Sequence, residues 1–93
     1  MSEADVKRWL LTQHESETLR AEEKKHVLHC LMSLCRWYNE GMRPGHFLEA
    51  VLKNDFMAAV GRADSTNIKI LPIYAKFLYN LMPVDYAEKA KKL

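Results

Sequence analysis

Apolar residues along this chain recur at intervals of three and four, and no stretch alternates with polar residues long enough to make a strand. That periodicity predicts an all-α protein. Ser2 with Asp5 three residues later is a capping-box start, and Val6, Trp9 and Leu10 follow at helical spacing, so a first helix runs to about Gln13. The polar stretch from His14 to Thr18 offers Ser16 and Thr18 as new N-caps. It reads as a break between two helices rather than the solvated middle of one. A long second helix extends from about Leu19 to Asn39 and stops at Gly41. Val27, Leu31, Leu34 and Tyr38 form its central line, flanked by Cys30, Cys35, Leu28, Met32 and Trp37. This apolar sector covers about 220°, against roughly 100° for a surface helix, so the second helix must be covered from several directions.

Gly41-Met42-Arg43-Pro44-Gly45 is a turn, and Pro44 opens a short helix from His46 to Lys53 with Phe47, Leu48, Val51 and Leu52 inward. Asn54-Asp55 ends it, and Asp55 caps a fourth helix from Phe56 to Arg62, whose small residues (Ala58, Ala59, Gly61, with Ala63 beyond) permit close backbone approach. Asp64-Ser65 repeats the capping logic for a fifth helix, Thr66 to Leu81, with Ile70, Tyr74, Phe77, Leu78 and Leu81 as its buried stripe. Pro72 must bend or restart that helix, Pro83 closes it, and Asp85 to Lys92 adds a final frayed turn or two. The expected architecture is therefore a compact bundle of five to six short helices around one core. It forms a single domain over residues 1–93, with residues 1–17 able to act as a semi-independent arm.

Composition agrees with a globular chain: 48% hydrophobic, 28% charged, and only three Gly and three Pro. The acidic start Met1-Ser2-Glu3-Ala4-Asp5 lacks the pattern of a signal peptide, and no window approaches the roughly 18 apolar residues of a membrane span. A cytoplasmic protein without a membrane partner is expected. The net charge of +2 divides into −1 over residues 1–40 (six Lys/Arg, seven Asp/Glu) and +3 over residues 41–93 (eight against five). Neither half is the dense basic field that phosphate neutralisation needs.

Candidate chemistry is sparse. Cys30 and Cys35 lie on one helix, roughly 140° apart around its axis, a poor geometry for a disulfide; both read as reduced, packed thiols. Their apolar setting also argues against a nucleophile. His26, His29 and Cys30 come nearest to a metal cluster, but a fourth ligand is missing and His14 and His46 are isolated, so neither metal nor cofactor is expected. Glu22 and Glu23 precede Lys24 and Lys25 in a solvated run, while Asp55 and Asp64 are caps. No glycine-rich phosphate loop, nucleophile elbow or metalloprotease helix occurs, and the chain is expected not to be an enzyme.

Two surfaces remain as candidates. Trp9, Leu11, Met32 and Trp37 form an apolar set larger than one small core requires, suited to a protein partner or to a homodimer or higher oligomer. Arg43, His46, Arg62, Asp64 and Asn67 gather at helix ends and turns, where an anion or a carboxylate of a partner could sit. The turn at Asn54-Asp55 invites comparison with a helix-turn-helix, yet Arg62 is the only side chain of the candidate recognition helix suited to base edges.

The run from Tyr38 to Asp55, Tyr-Asn-Glu-Gly-Met-Arg-Pro-Gly-His-Phe-Leu-Glu-Ala-Val-Leu-Lys-Asn-Asp, resembles a group of small, uncharacterised helical proteins encoded by bacteriophages and prophages. Gly61-Arg62-Ala63-Asp64 with Asn67, and Phe77-Leu78-Tyr79-Asn80, belong to the same likeness, which covers about half the chain. The longer N-terminal helix and the Lys-rich ending depart from it. The resemblance implies a phage context and the cytoplasm of a bacterial host, and brings no active site. The expected role is a non-enzymatic accessory protein that binds a host or phage protein stoichiometrically, as a regulator or inhibitor, anti-defence included. A nucleic-acid-binding regulator and an oligomeric sponge for an anionic nucleotide are the alternatives.

Overall fold

The side-chain caps expected at Ser2, Asp55 and Asp64 each open a helix in the computed structural model, which describes residues 1–93. Ser2 Oγ accepts the Asp5 N–H at 3.2 Å while Asp5 returns the bond to the Ser2 N–H at 3.3 Å, and α1 runs over Glu3–Thr12. The polar stretch that follows is a short 3-10 helix, His14–Thr18. Ser16 and Thr18 are not N-caps. Their hydroxyls donate to the Gln13 and Glu15 carbonyls instead, at 2.8 and 3.0 Å, tightening this connector and burying Ser16.

The second helix, α2 (Ala21–Glu40), starts two residues later than its apolar pattern indicates, because Leu19 is buried in extended backbone. Arg20 is the N-cap residue, and Glu23 accepts its N–H at 3.0 Å. Gly41, at φ +75°, closes α2 in the left-handed conformation.

The helix α3 (His46–Leu52) ends in a Schellman-type turn: the Asp55 N–H reaches the Ala50 carbonyl at 2.9 Å and Asn54 N–H reaches Val51 at 3.1 Å. Asn54 takes the left-handed position, φ +57°, that such a turn demands. Asp55 then caps α4 (Phe56–Arg62) through the Ala58 N–H at 3.1 Å, so one residue both ends α3 and begins α4.

The expected fifth helix is two. The segment α5 (Ser65–Lys69) stops at Ile70, and α6 (Leu71–Asn80) begins with Pro72 in its first turn. A continuous helix would have set the Pro72 ring against the carbonyl four residues back and left that carbonyl without a donor; in the first turn of a new helix the missing N–H costs nothing. The final helix is α7 (Tyr86–Ala90).

The core is one cluster built on α2 and α6. Val27, Leu31 and Leu34 of α2 and Ile73, Tyr74 and Phe77 of α6 are fully buried. Helix α1 closes one side through Val6 and Leu10, which belong to the same cluster; α3 contributes Leu48 and Leu52, and α7 Ala90. Helix α3 packs on both α4 and α7, while α1 and α5 pack on α2. The radius of gyration of 12.3 Å is what a folded chain of this length should have, about 12 Å.

Candidate interaction groove

Helix α4 has less than two turns to anchor, and only Ala59 is buried among its residues. Phe56, one turn from Val60, stays 66% exposed, and Met57 80%. Alanine fits the narrow gap beside α3, so the bulky residues of α4 are left on its outer side. Tyr79, on the outer side of α6, is 88% exposed, and Val84, between α6 and α7, 98%. Between these elements runs an open groove of about 640 Å³, eleven of whose thirteen lining residues are hydrophobic. Phe56 and Ala59 of α4, Ala75, Leu78 and Tyr79 of α6 and Val51 of α3 are among the residues that line it. Asp55 is its one carboxylate, already engaged as the cap of α4. The volume lies within the range of ligand and peptide clefts.

The apolar residues singled out from the sequence are elsewhere. Trp37 is buried at 6% exposure and belongs to the core, so it cannot be a contact residue in this fold. Trp9 stacks edge-on against Phe77 with centroids 5.5 Å apart, and Met32 packs half-buried on the core; neither is spare surface. Only Leu11, 52% exposed, stands in solvent. A signal for the groove was present in the small residues of α4: if alanines face inward, then Phe56, Met57 and Val60 must face out.

The polar set divides into two. Arg43 forms a forked pair with Glu49, at 2.9 and 3.2 Å, which raises the guanidinium pKa and lowers that of the carboxyl. Arg62 donates to the His46 carbonyl at 3.3 Å, tying the end of α4 to the start of α3. Asp64 and Asn67 belong to a separate cluster: Asp64 accepts the Asn67 N–H at 2.7 Å and meets His26 Nε2 at 2.9 Å. Asn67 is buried at 4% exposure and is therefore no surface contact; its Oδ1 accepts the Tyr74 hydroxyl at 2.6 Å. Both arginines are engaged internally, and the five residues do not converge on one anion site.

No known protein family, curated protein or solved structure matches this chain.

The remaining cluster of reactive types is His26, Cys30 and Asp64. Cys30 Sγ lies 3.9 Å from His26 Nε2, the same nitrogen that meets Asp64. A nucleophile–base–acid relay needs the acid and the thiol on opposite ring nitrogens, so this arrangement is not one. Burial pushes the Cys30 thiol pKa up, against weaker opposing hydrogen bonds to Tyr74 and Asn67, and Cys35 is raised by burial as well. Both thiols are free and protonated at neutral pH. No helix is long and apolar enough to cross a membrane.

Proposed function

We propose that this chain is a stoichiometric, non-enzymatic protein-binding protein whose contact surface is the groove between α4 and α6. The observation that carries the reading is the collection of Phe56, Tyr79 and Val84 in water along one groove, on a chain whose two tryptophans are built into or against the core. At about 150–250 Å² for a whole aromatic side chain, Phe56 and Tyr79 alone leave on the order of 300 Å² uncovered. With Val84 the exposed apolar surface along the groove reaches roughly 400 Å², the size at which such surface is commonly functional. Met and aromatic side chains are also the types that adapt to and anchor a protein partner.

The likeness of residues 38–55 to phage and prophage proteins supports a phage setting, with a host or phage protein of the bacterial cytoplasm as partner. Within that setting the role is regulation or inhibition by occupancy, a host defence factor being one class of target. Nucleic-acid binding and nucleotide sequestration are less well supported: a ligand would have to replace the Arg43 pair with Glu49 and the Arg62 bond to the His46 carbonyl, and the chain has no dense basic field.

Tagged chain purified from a bacterial host should retain a protein in a fixed molar ratio, and the double variant Phe56→Glu/Tyr79→Glu should release it while remaining folded. Retention unchanged by the double variant would place the contact elsewhere. Retention of nothing by the wild type would remove the reading.

A further inference from the structure

The groove does not end at α7. Asn54 and Tyr86 line both it and a second hollow of about 550 Å³, whose other walls include Lys53, Ala87 and Lys91. The path therefore runs from an apolar trough into a basic end that contains no acidic lining residue. Lys53 makes no ion pair, and Lys91 reaches only Glu88 at 3.1 Å, both partners being over 70% exposed. Such surface pairs are weak and readily exchanged. Lys92 follows directly, in the half of the chain with the positive balance.

Resting on the reading of the groove as a protein contact, we infer that its occupant is an amphipathic helix with carboxylates in its first turn, which lie against Lys53 and Lys91 while its apolar stripe fills the trough. Two observations select this occupant. The fold exposes no strand edge, so an added strand has no backbone to pair with, whereas a helix can lay its apolar stripe along the hydrophobic lining. The basic end demands negative charge, and carboxylates in a first turn also stabilise the incoming helix itself.

Fluorescence anisotropy with synthetic peptides tests this. Two labelled peptides of about four turns share three Leu anchors at i, i+4 and i+7; one has two Glu in its first turn and the other has Gln there. Wild-type chain at low salt should prefer the Glu peptide by roughly tenfold, with the preference shrinking as salt rises. The variant Lys53→Gln/Lys91→Gln, checked for unchanged helicity by circular dichroism, should bind both peptides equally and at the affinity of the Gln peptide for wild type. Equal binding of the two peptides by wild type would overturn the charge assignment while leaving the groove reading intact. Failure of both peptides, or binding that survives Tyr79→Glu, would overturn the helix occupant, and the co-purification result would then decide the groove separately. Displacement of both peptides by dodecanoate at comparable concentration would assign the trough to a fatty acid and overturn the proposal by ligand class.

Discussion

Asn67 and Tyr74, seven residues apart, show how a polar side chain beside a helix cap can belong to the core. From the sequence Asn67 reads as a solvated neighbour of a capping aspartate. In the fold it is buried, and its Oδ1 accepts the Tyr74 hydroxyl at 2.6 Å. Burial raises the phenol pKa, with Cys30 as a further cause, so the hydroxyl is a neutral donor across the working pH range. Replacing Tyr74 by Phe keeps the ring packed against Phe47, at 5.4 Å between centroids, and removes only the donor. The carboxamide oxygen is then buried without a partner, an expected loss of about 1–3 kcal/mol in urea unfolding. A variant within about 0.5 kcal/mol of wild type would mean the amide is satisfied by another group. The sequence displays the cap at Asp64 because caps are read over three residues; it does not display this bond, because a polar residue beside a cap reads as solvated even where its spacing places it on the buried face.

Elements, by contrast, are joined by few polar contacts, and Glu23 makes the most connected of them. It holds the Arg20 N–H with one oxygen and Thr66 and Lys69 of α5 with the other, at 3.1 and 3.2 Å, so the first turn of α2 is tied to a helix more than forty residues away. The Arg20 backbone N–H, and next the Lys69 ammonium, hold the Glu23 carboxyl down to about 2. A carboxyl lowered in the folded state contributes stability above its unfolded pKa of roughly 4.3, and that contribution disappears as pH falls toward 2. Glu23→Gln should therefore melt below wild type by on the order of 5 °C at pH 7, with the gap closing between pH 4 and pH 2. A gap that stays constant with pH would show that the ionised form makes no difference. Seen from the sequence, Glu23 sat in a charge run with two lysines and read as solvated. The helices themselves were legible wherever a short-range signal marks their ends: Ser2, Gly41, Asp55 and Asp64 do so. The start of α2 was not, because periodicity alone does not distinguish Leu19 buried in extended backbone from an apolar residue in a first helical turn.

At the scale of the whole molecule the question is which apolar residues hold the fold and which are held out for contact. Residue type answers it poorly: tryptophan at helical spacing suggests a contact surface, yet Trp37 is buried while Phe56 and Tyr79 stand in water. The deciding factor is volume. Helices α2 and α6, with α1, α3 and α7 packed over them, already fill one small core, and the short α4, packed on α3, buries only Ala59, so its larger side chains have no interior to enter. Stability and contact should therefore separate cleanly under mutation. Phe77→Ala removes a fully buried ring and should cost about 3–5 kcal/mol, a large part of the roughly 5–15 kcal/mol that a domain of this size possesses. Met57→Glu changes a side chain that is already 80% exposed and should alter the unfolding free energy by less than about 0.5 kcal/mol. Urea titrations of the two variants beside wild type measure both numbers. A Met57→Glu variant destabilised by several kcal/mol would mean that α4 buries this side chain in solution, and the outer side of α4 would then be part of the core and not a surface for a partner.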